Sequence, residues 1–348
     1  MAMLKQSALF LSFCCCAQIV MAQGDVFTST SDYSFAEINP VTLVNPKPPA
    51  TRFGPGPEGW VRFRFSITGE GRTDNIEMLD FMPPNLPTED SVRAVENWVF
   101  TPASVNGNTI DWHNNIVVIN FDLPQVPNFS GPRFTTPYGE VQELMNEGRL
   151  NRAARGANNN LRESIYSLHD LGLANVQLAL IEIQRENFHL AHQAISHATL
   201  PEVSQLSESE LDVALQYKFS IELRLGLYQE ALNTFDMRSF LVEINEADSM
   251  LQQAEQIREA IDQGVTLNAR GKVLNEETGW FFTPTLRIFT IADVDGRLNT
   301  IKAVCNRNIV ELEYQADVEW SLPASWGECS LSVMGRENTT FTLYEFSE

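Results

Sequence analysis

EGWVRFRFSITGEGR (residues 58–72), IEMLDFMPPNLPTEDSVRAVENWVFTPASVNG (76–107) and IVVINFDL (116–123) follow one another with short gaps and decide the fold of the first part of this chain. Val61, Phe63, Phe65 and Ile67 alternate with Trp60, Arg62, Arg64 and Ser66. A period of two places four apolar side chains on one face of a strand and the arginines on the other. Thr68-Gly69-Glu70-Gly71 is a turn signal, because glycine tolerates positive φ. Ile76, Met78 and Phe81 predict a second strand, which Pro83 and Pro84 end because proline cannot donate to a ladder.

A helix follows. Thr88 is its predicted N-cap, with Glu89 and Asp90 in the first turn, where the helix dipole favours acids. Val92, Val95 and Val99, with Ala94 and Trp98, recur at helical spacing and form a stripe able to cover the apolar face of the strands. Pro102 is expected to stop this helix, and Asn106-Gly107 is a turn dipeptide. Residues 116–123 are a third strand, with Val117, Ile119, Phe121 and Leu123 on one face. One helix on an antiparallel sheet is an α+β layer. Its open edges can accept the strand of another chain.

The same residues resemble the C-terminal domain of the TonB energy-transducer family over about residues 46–123. The matching pieces are Pro49-Ala50, Glu58-Gly59-Trp60-Val61, Glu70-Gly71-Arg72, Ala94-Val95-Glu96-Asn97-Trp98, Phe100-Thr101-Pro102 and Ile116-Val117-Val118, six in order at family-like spacing. The motif positions are therefore Pro49, Gly59, Val61, Gly71, Ala94, Trp98 and Pro102. The chain departs from the family in having Pro48 where a tyrosine is common, and in showing neither a membrane anchor nor a long proline-rich spacer at full scale. The resemblance implies that the third strand, Asn115, Ile116, Val117, Val118, Ile119 and Asn120, pairs with an extended segment of a TonB-dependent outer-membrane receptor or another cell-envelope protein.

Residues 1–22 read as a secretory signal: Lys5 gives the basic start, 8–20 an apolar run, and Val20-Met21-Ala22 a small-x-small cleavage site before Gln23. The expected location is the periplasm. An uncleaved inner-membrane anchor, or lipidation at Cys14, Cys15 or Cys16 behind the bulky Phe13, is the alternative. The two remaining cysteines, Cys305 and Cys329, form an even pair and are expected to be disulfide-bonded in an exported protein. With 45 Asp and Glu against 24 Lys and Arg, the net charge is −21. Such a chain does not bind nucleic acid through general electrostatics, and it disfavours anionic lipid surfaces.

Composition divides the rest. Residues 23–45 are a polar lead-in, and Pro124, Pro127, Pro132 and Pro137 mark a linker over 124–137. From 138 to 263 only Pro201 interrupts a helix-forming region. Within it, NFHLAHQAI (187–195) aligns with LYQEALNTF (227–235), each behind an apolar helix. An aromatic followed three residues later by alanine resembles tetratricopeptide helix pairs, at an offset of 40 residues rather than about 34. A more degenerate pair is expected over 138–170. Such arrays bind peptides or partner proteins on one face. Residues 264–348 alternate in short runs, 281–291, 298–304, 309–314, 330–334 and 340–346, which predicts an all-β module. The fold class is thus multidomain α+β: a TonB C-terminal-like layer, tetratricopeptide-like helical hairpins and a small β module.

Chemistry is sparse. Gly54, Gly56 and Gly59 match a dinucleotide-binding spacing, but they precede a strand, and Pro55 and Pro57 remove the amides a phosphate needs. Asp293-Val294-Asp295-Gly296 resembles the start of a calcium loop without its later ligands. No G-x-S-x-G nucleophile motif occurs. A metal-dependent enzyme using His189, His192 and His197 is the one enzymatic reading left, against solvated helix histidines. The residues otherwise imply a non-enzymatic protein-binding adaptor with no cofactor, no metal and no small-molecule substrate. An anchored energy transducer is the second binding-class reading.

Overall fold

The computed structural model describes residues 33–34, 50–51, 54–55, 58–121 and 130–347. The signal at 1–22, Pro49, Leu123, Pro124 and Pro127 lie outside the described residues.

Three two-residue strands, β1 (Tyr33–Ser34), β2 (Ala50–Thr51) and β3 (Gly54–Pro55), come first. They are followed by β4 (Gly59–Ile67), β5 (Thr73–Met82), helix α1 (Glu89–Glu96), the hairpin β6 (Ala103–Val105) and β7 (Asn108–Ile110), and β8 (Trp112–Phe121). β4 is the centre of an antiparallel sheet in the order β5-β4-β8. As the alternation predicts, Val61, Phe63, Phe65 and Ile67 are at most 1% exposed and share a core with Val95, Trp98, Phe100 and Phe121. β5 ends at Met82, immediately before the two prolines.

Two expectations are corrected here. α1 stops at Glu96, so Trp98 and Val99 are not helical. The chain leaves the helix early because Val99 bridges Arg72 and the Phe100 amide donates to Gly71 O at 2.8 Å, a pairing a longer helix would forbid. Thr88 is the N-cap residue, but its side chain makes no capping bond. The third strand begins at Trp112 rather than Ile116. Asn114, at φ 59°, absorbs a register shift opposite Phe65 and Ile67, which lets the polar residues 113–115 remain in the strand.

The helical part comprises α2 (Pro132–Asn146), α3 (Leu150–Glu163), α4 (Leu168–Gln184), α5 (Phe188–Ala198), α6 (Glu208–Leu225), α7 (Tyr228–Leu241) and α8 (Ser249–Asp262). Each packs on the next. The predicted linker over 124–137 is too long, since Pro132 and Pro137 belong to α2. Proline is tolerated at the first helical position because its missing N–H would be unpaired there anyway. Ala191 and Ala231, the alanines of the internal repeat, are both fully buried. α6 starts with a capping box formed by Ser207 and Glu210 and ends at Gly226, φ 75°.

The C-terminal part forms two four-stranded antiparallel sheets. Its strands are β9 (Leu267–Lys272), β10 (Trp280–Phe282), β11 (Ile288–Asp295), β12 (Leu298–Cys305), β13 (Asn308–Glu313), β14 (Glu319–Ser321), β15 (Cys329–Gly335) and β16 (Thr340–Phe346). The sheet orders are β10-β15-β12-β13 and β14-β11-β16-β9. The run predicted as one strand over 281–291 is split between the two sheets, with Pro284 in the connection. The helices and sheets are not separate bodies: Ala191, Ile195 and Leu225 are contiguous with Ala269, Phe289 and Leu343 in one core. No helix among the described residues is long and apolar enough to cross a membrane.

Candidate functional site

The site is the outer strand β8 together with the polar face of the sheet behind it. Among the described residues β8 pairs with β4 on one side only, Val61 opposite Ile119 and Arg62 opposite Val118. Its side chains divide by parity: Val117, Ile119 and Phe121 join the core that also holds Val95 of α1, while Val118 packs toward Trp60, Phe134 and Leu168. Ile116 and Val117 are half-buried and Asn120 is exposed.

Asn115 stays in β8, opposite Phe65, with its side chain turned inward. It is buried, and its amide donates to Phe65 O at 3.1 Å and Trp112 O at 2.8 Å, so it closes the bulge instead of facing a partner. The residues just before it are also engaged. The His113 amide donates to Asn306 O at 2.7 Å, and Ser330 Oγ donates to Asn114 Oδ1 at 2.9 Å. Beyond Asn115, β8 runs on beside β4 through residues 116–120.

The motif residues have structural reasons. A Cβ on Gly59 would lie 2.3 Å from Met82 O, and one on Gly71 would lie 2.2 Å from Phe100 O, at a φ of 78° that side-chain-bearing residues avoid. Val61 and Ala94 are buried. Trp98 meets Phe65 and Phe100 edge-on, with ring centroids 6.2 and 6.1 Å away. Pro102 is half-buried, and its Cδ would sit 3.6 Å from that added Gly71 Cβ.

The arginine face of β4 is not a solvated face. Arg64 is 2% exposed, and its side chain bonds to two other strands, β5 and β15. Its Nη2 donates to Glu77 Oε2 at 2.7 Å and to Ser332 Oγ at 3.3 Å, and its Nη1 donates to Ser330 Oγ at 2.8 Å. Lys302 Nζ reaches the same Glu77 oxygen at 3.3 Å. Burial works to raise the Glu77 carboxyl, but the Arg64 hydrogen bond and charge, with Lys302, outweigh it and hold the group below its ordinary range. The Phe281 ring lies 5.7 Å from the Arg64 guanidinium and 6.0 Å from that of Arg62. One strand along, Asp80 Oδ2 sits 2.5 Å from His197 Nε2. Burial opposes its ionisation, yet the His197 charge and hydrogen bond, the Phe81 amide and Arg62 hold it low. Glu58 completes the junction by accepting the Leu168 amide at 2.8 Å, at the start of α4.

The three histidines diverge. His197 pairs with Asp80, His192 Nε2 lies 3.4 Å from Glu222 Oε1, and burial holds His189 neutral, down to about 4, with His192, Lys272 and Arg270 adding to the effect. No group of three or more His, Cys, Asp or Glu among the described residues is placed to hold a metal ion. Cys305 and Cys329 face each other on β12 and β15 and are bonded, with sulfurs 2.01 Å apart.

The buried arginine face escaped the sequence reading. Its signal was Trp60 in line with Arg62 and Arg64: a large aromatic on a nominally polar face marks a surface that something covers. Neither the protein-family models nor the curated proteins contain a match to this chain.

Proposed function

We propose that this chain is a non-enzymatic adaptor of the cell envelope, working in the periplasm, whose first part is a TonB C-terminal-like domain. It captures an extended segment of a partner protein by strand addition along residues 116–120. An outer-membrane receptor of the TonB-dependent kind is the partner the resemblance implies. The observation that carries the reading is the place of β8 as an end strand, laddered among the described residues to β4 alone and with an exposed Asn120 at its C-terminal end. An unpaired edge offers main-chain donors and acceptors for affinity and alternate side-chain positions for selection. The helical part, resembling tetratricopeptide pairs, holds this sheet in place: β4 meets it through Trp60 and His197, with ring centroids 5.5 Å apart.

In-cell photo-crosslinking tests the reading. A photoreactive residue at Asn120 is expected to give a discrete adduct with an envelope protein, and the same residue at exposed Gln252 on α8 is not. Absence of an adduct from Asn120, or the same adducts from both positions, would overturn it.

A further inference from the structure

The connection between β10 and β11 is gripped by two acids from different parts of the chain. Glu230, in the first turn of α7, accepts the Thr283 amide at 3.1 Å. Glu345, on β16 and 1% exposed, accepts the Thr285 amide at 2.8 Å and the Leu286 amide at 3.0 Å. Pro284 has no N–H, so these two carboxyl groups take every amide offered from 283 to 286.

More charge faces the same junction. From α6, fully buried Glu222 lies 3.4 Å from His192 of α5 and 3.8 Å from Lys218. Its charge and that of His192 both act on Glu230. On the same helix α5, burial and then the charges of His192, Lys272 and Arg270 disfavour protonation of His189. Glu222 Oε2 and Glu230 Oε2 are buried and have no hydrogen-bond partner. A buried acceptor without a donor is costly, and a protonated carboxyl brings its own donor. Burial pushes the Glu345 carboxyl up to about 7; the Leu286 and Thr285 amides oppose this and the Glu230 charge adds to it. Burial raises Glu230 in the same way. The connection leaves β10 after Phe282, which is fully buried and paired with Leu331 of β15.

We propose that residues 283–286 form a proton-operated latch, seated when the Glu230 and Glu345 carboxyls carry protons and loosened when both ionise. Like charges in a dry junction repel strongly, whereas protonation of the carboxyls removes the repulsion. The latch follows the sign of a raised carboxyl. Its contribution is complete below the ordinary glutamate range and is lost as pH rises through about 7.

Hydrogen–deuterium exchange on the full chain, corrected for intrinsic exchange, tests it. Protection of residues 283–286 is expected to fall about tenfold between about pH 6 and about pH 8.5, while α8 keeps its protection. Glu345→Gln retains an acceptor oxygen but cannot ionise, and is expected to reduce that dependence at least about threefold. Flat protection in the wild-type protein would overturn the proposal without need of any variant. So would an unchanged dependence in folded Glu345→Gln or, should that variant not fold, in Glu230→Gln.

Discussion

Arg64 donates to Ser330 at 2.8 Å, joining residues 266 positions apart in the chain. The guanidinium lies in the first sheet and the hydroxyl on β15 of the last, so one buried cation is shared by the two ends of the described structure. Breaking a buried, paired charge is costlier than the pair's net worth, because the partner groups lose their compensation. Arg64→Met is therefore expected to destabilise the protein by about 3 kcal/mol, and Glu77→Gln by about 1 kcal/mol, since Glu77 is the more exposed partner and screened in proportion. Urea denaturation of the full chain measures both. A loss below about 0.5 kcal/mol for Arg64→Met would place it among ordinary surface changes.

Three positive-φ glycines offer a graded experiment. Gly71 and Gly107 share a φ of 78°, but a Cβ at Gly107 meets nothing within 4 Å, whereas at Gly71 it meets the Phe100 carbonyl. Gly107→Ala is expected to cost about 1 kcal/mol, the backbone strain alone. Gly71→Ala adds a backbone clash and is expected to cost more than about 2 kcal/mol. Gly226→Ala, with Asn268 O at 1.9 Å from the added atom, belongs with Gly71. Thermal melts of the three variants should fall in that order.

Acid and base act oppositely on two carboxyl groups. Glu77 is held low, so the stability it contributes is present above the ordinary glutamate range and is lost as pH falls through its depressed value. Glu345 is pushed up to about 7, so its contribution is lost as pH rises from the ordinary range through that value. Glu345→Gln is accordingly expected to stabilise the protein at pH 8, by at most about 3 kcal/mol, and to have little effect at pH 5. Denaturation midpoints at the two pH values decide it.

The Cys305–Cys329 bond closes a separation of 24 residues. Replacing both cysteines by serine is expected to cost about 3 kcal/mol through the freedom regained by the unfolded chain. Comparing oxidised wild type, reduced wild type and the double variant by urea denaturation checks it, and reduction should match substitution.

Much of this architecture was legible from local signals. The alternation about Phe63 and Phe65, the proline stop after Met82 and the C-terminal runs around Ile301, Leu331 and Leu343 all read correctly, because period-two burial is written residue by residue. β9 does not stand out because two of its three inward positions, Ala269 and Gly271, are small, and Gly271 is small because the Phe341 ring would lie 2.2 Å from any Cβ there. Trp98 and Val99 were placed on α1 because their spacing is helical, but the long-range pairing of Arg72 with Val99 overrides that spacing. Nothing local shows that the Asn115 side-chain amide turns back to Phe65. The arginine face was hardest to read, since its partners Ser330 and Ser332 are ordinary serines until the fold brings them to Arg64.

That last contact bears on the order in which the chain is made. The serines that satisfy Arg64 leave the ribosome 266 and 268 residues after it, an interval of roughly 13 to 50 seconds at ordinary synthesis rates. Throughout that time the first sheet can bury Val61, Phe63 and Phe65 under α1 and pair Arg64 with Glu77, yet the guanidinium donors destined for Ser330 and Ser332 wait without those acceptors. The nascent first domain is thus a half-finished surface that its own last strands must complete, and a truncation anywhere before β15 leaves it in that condition.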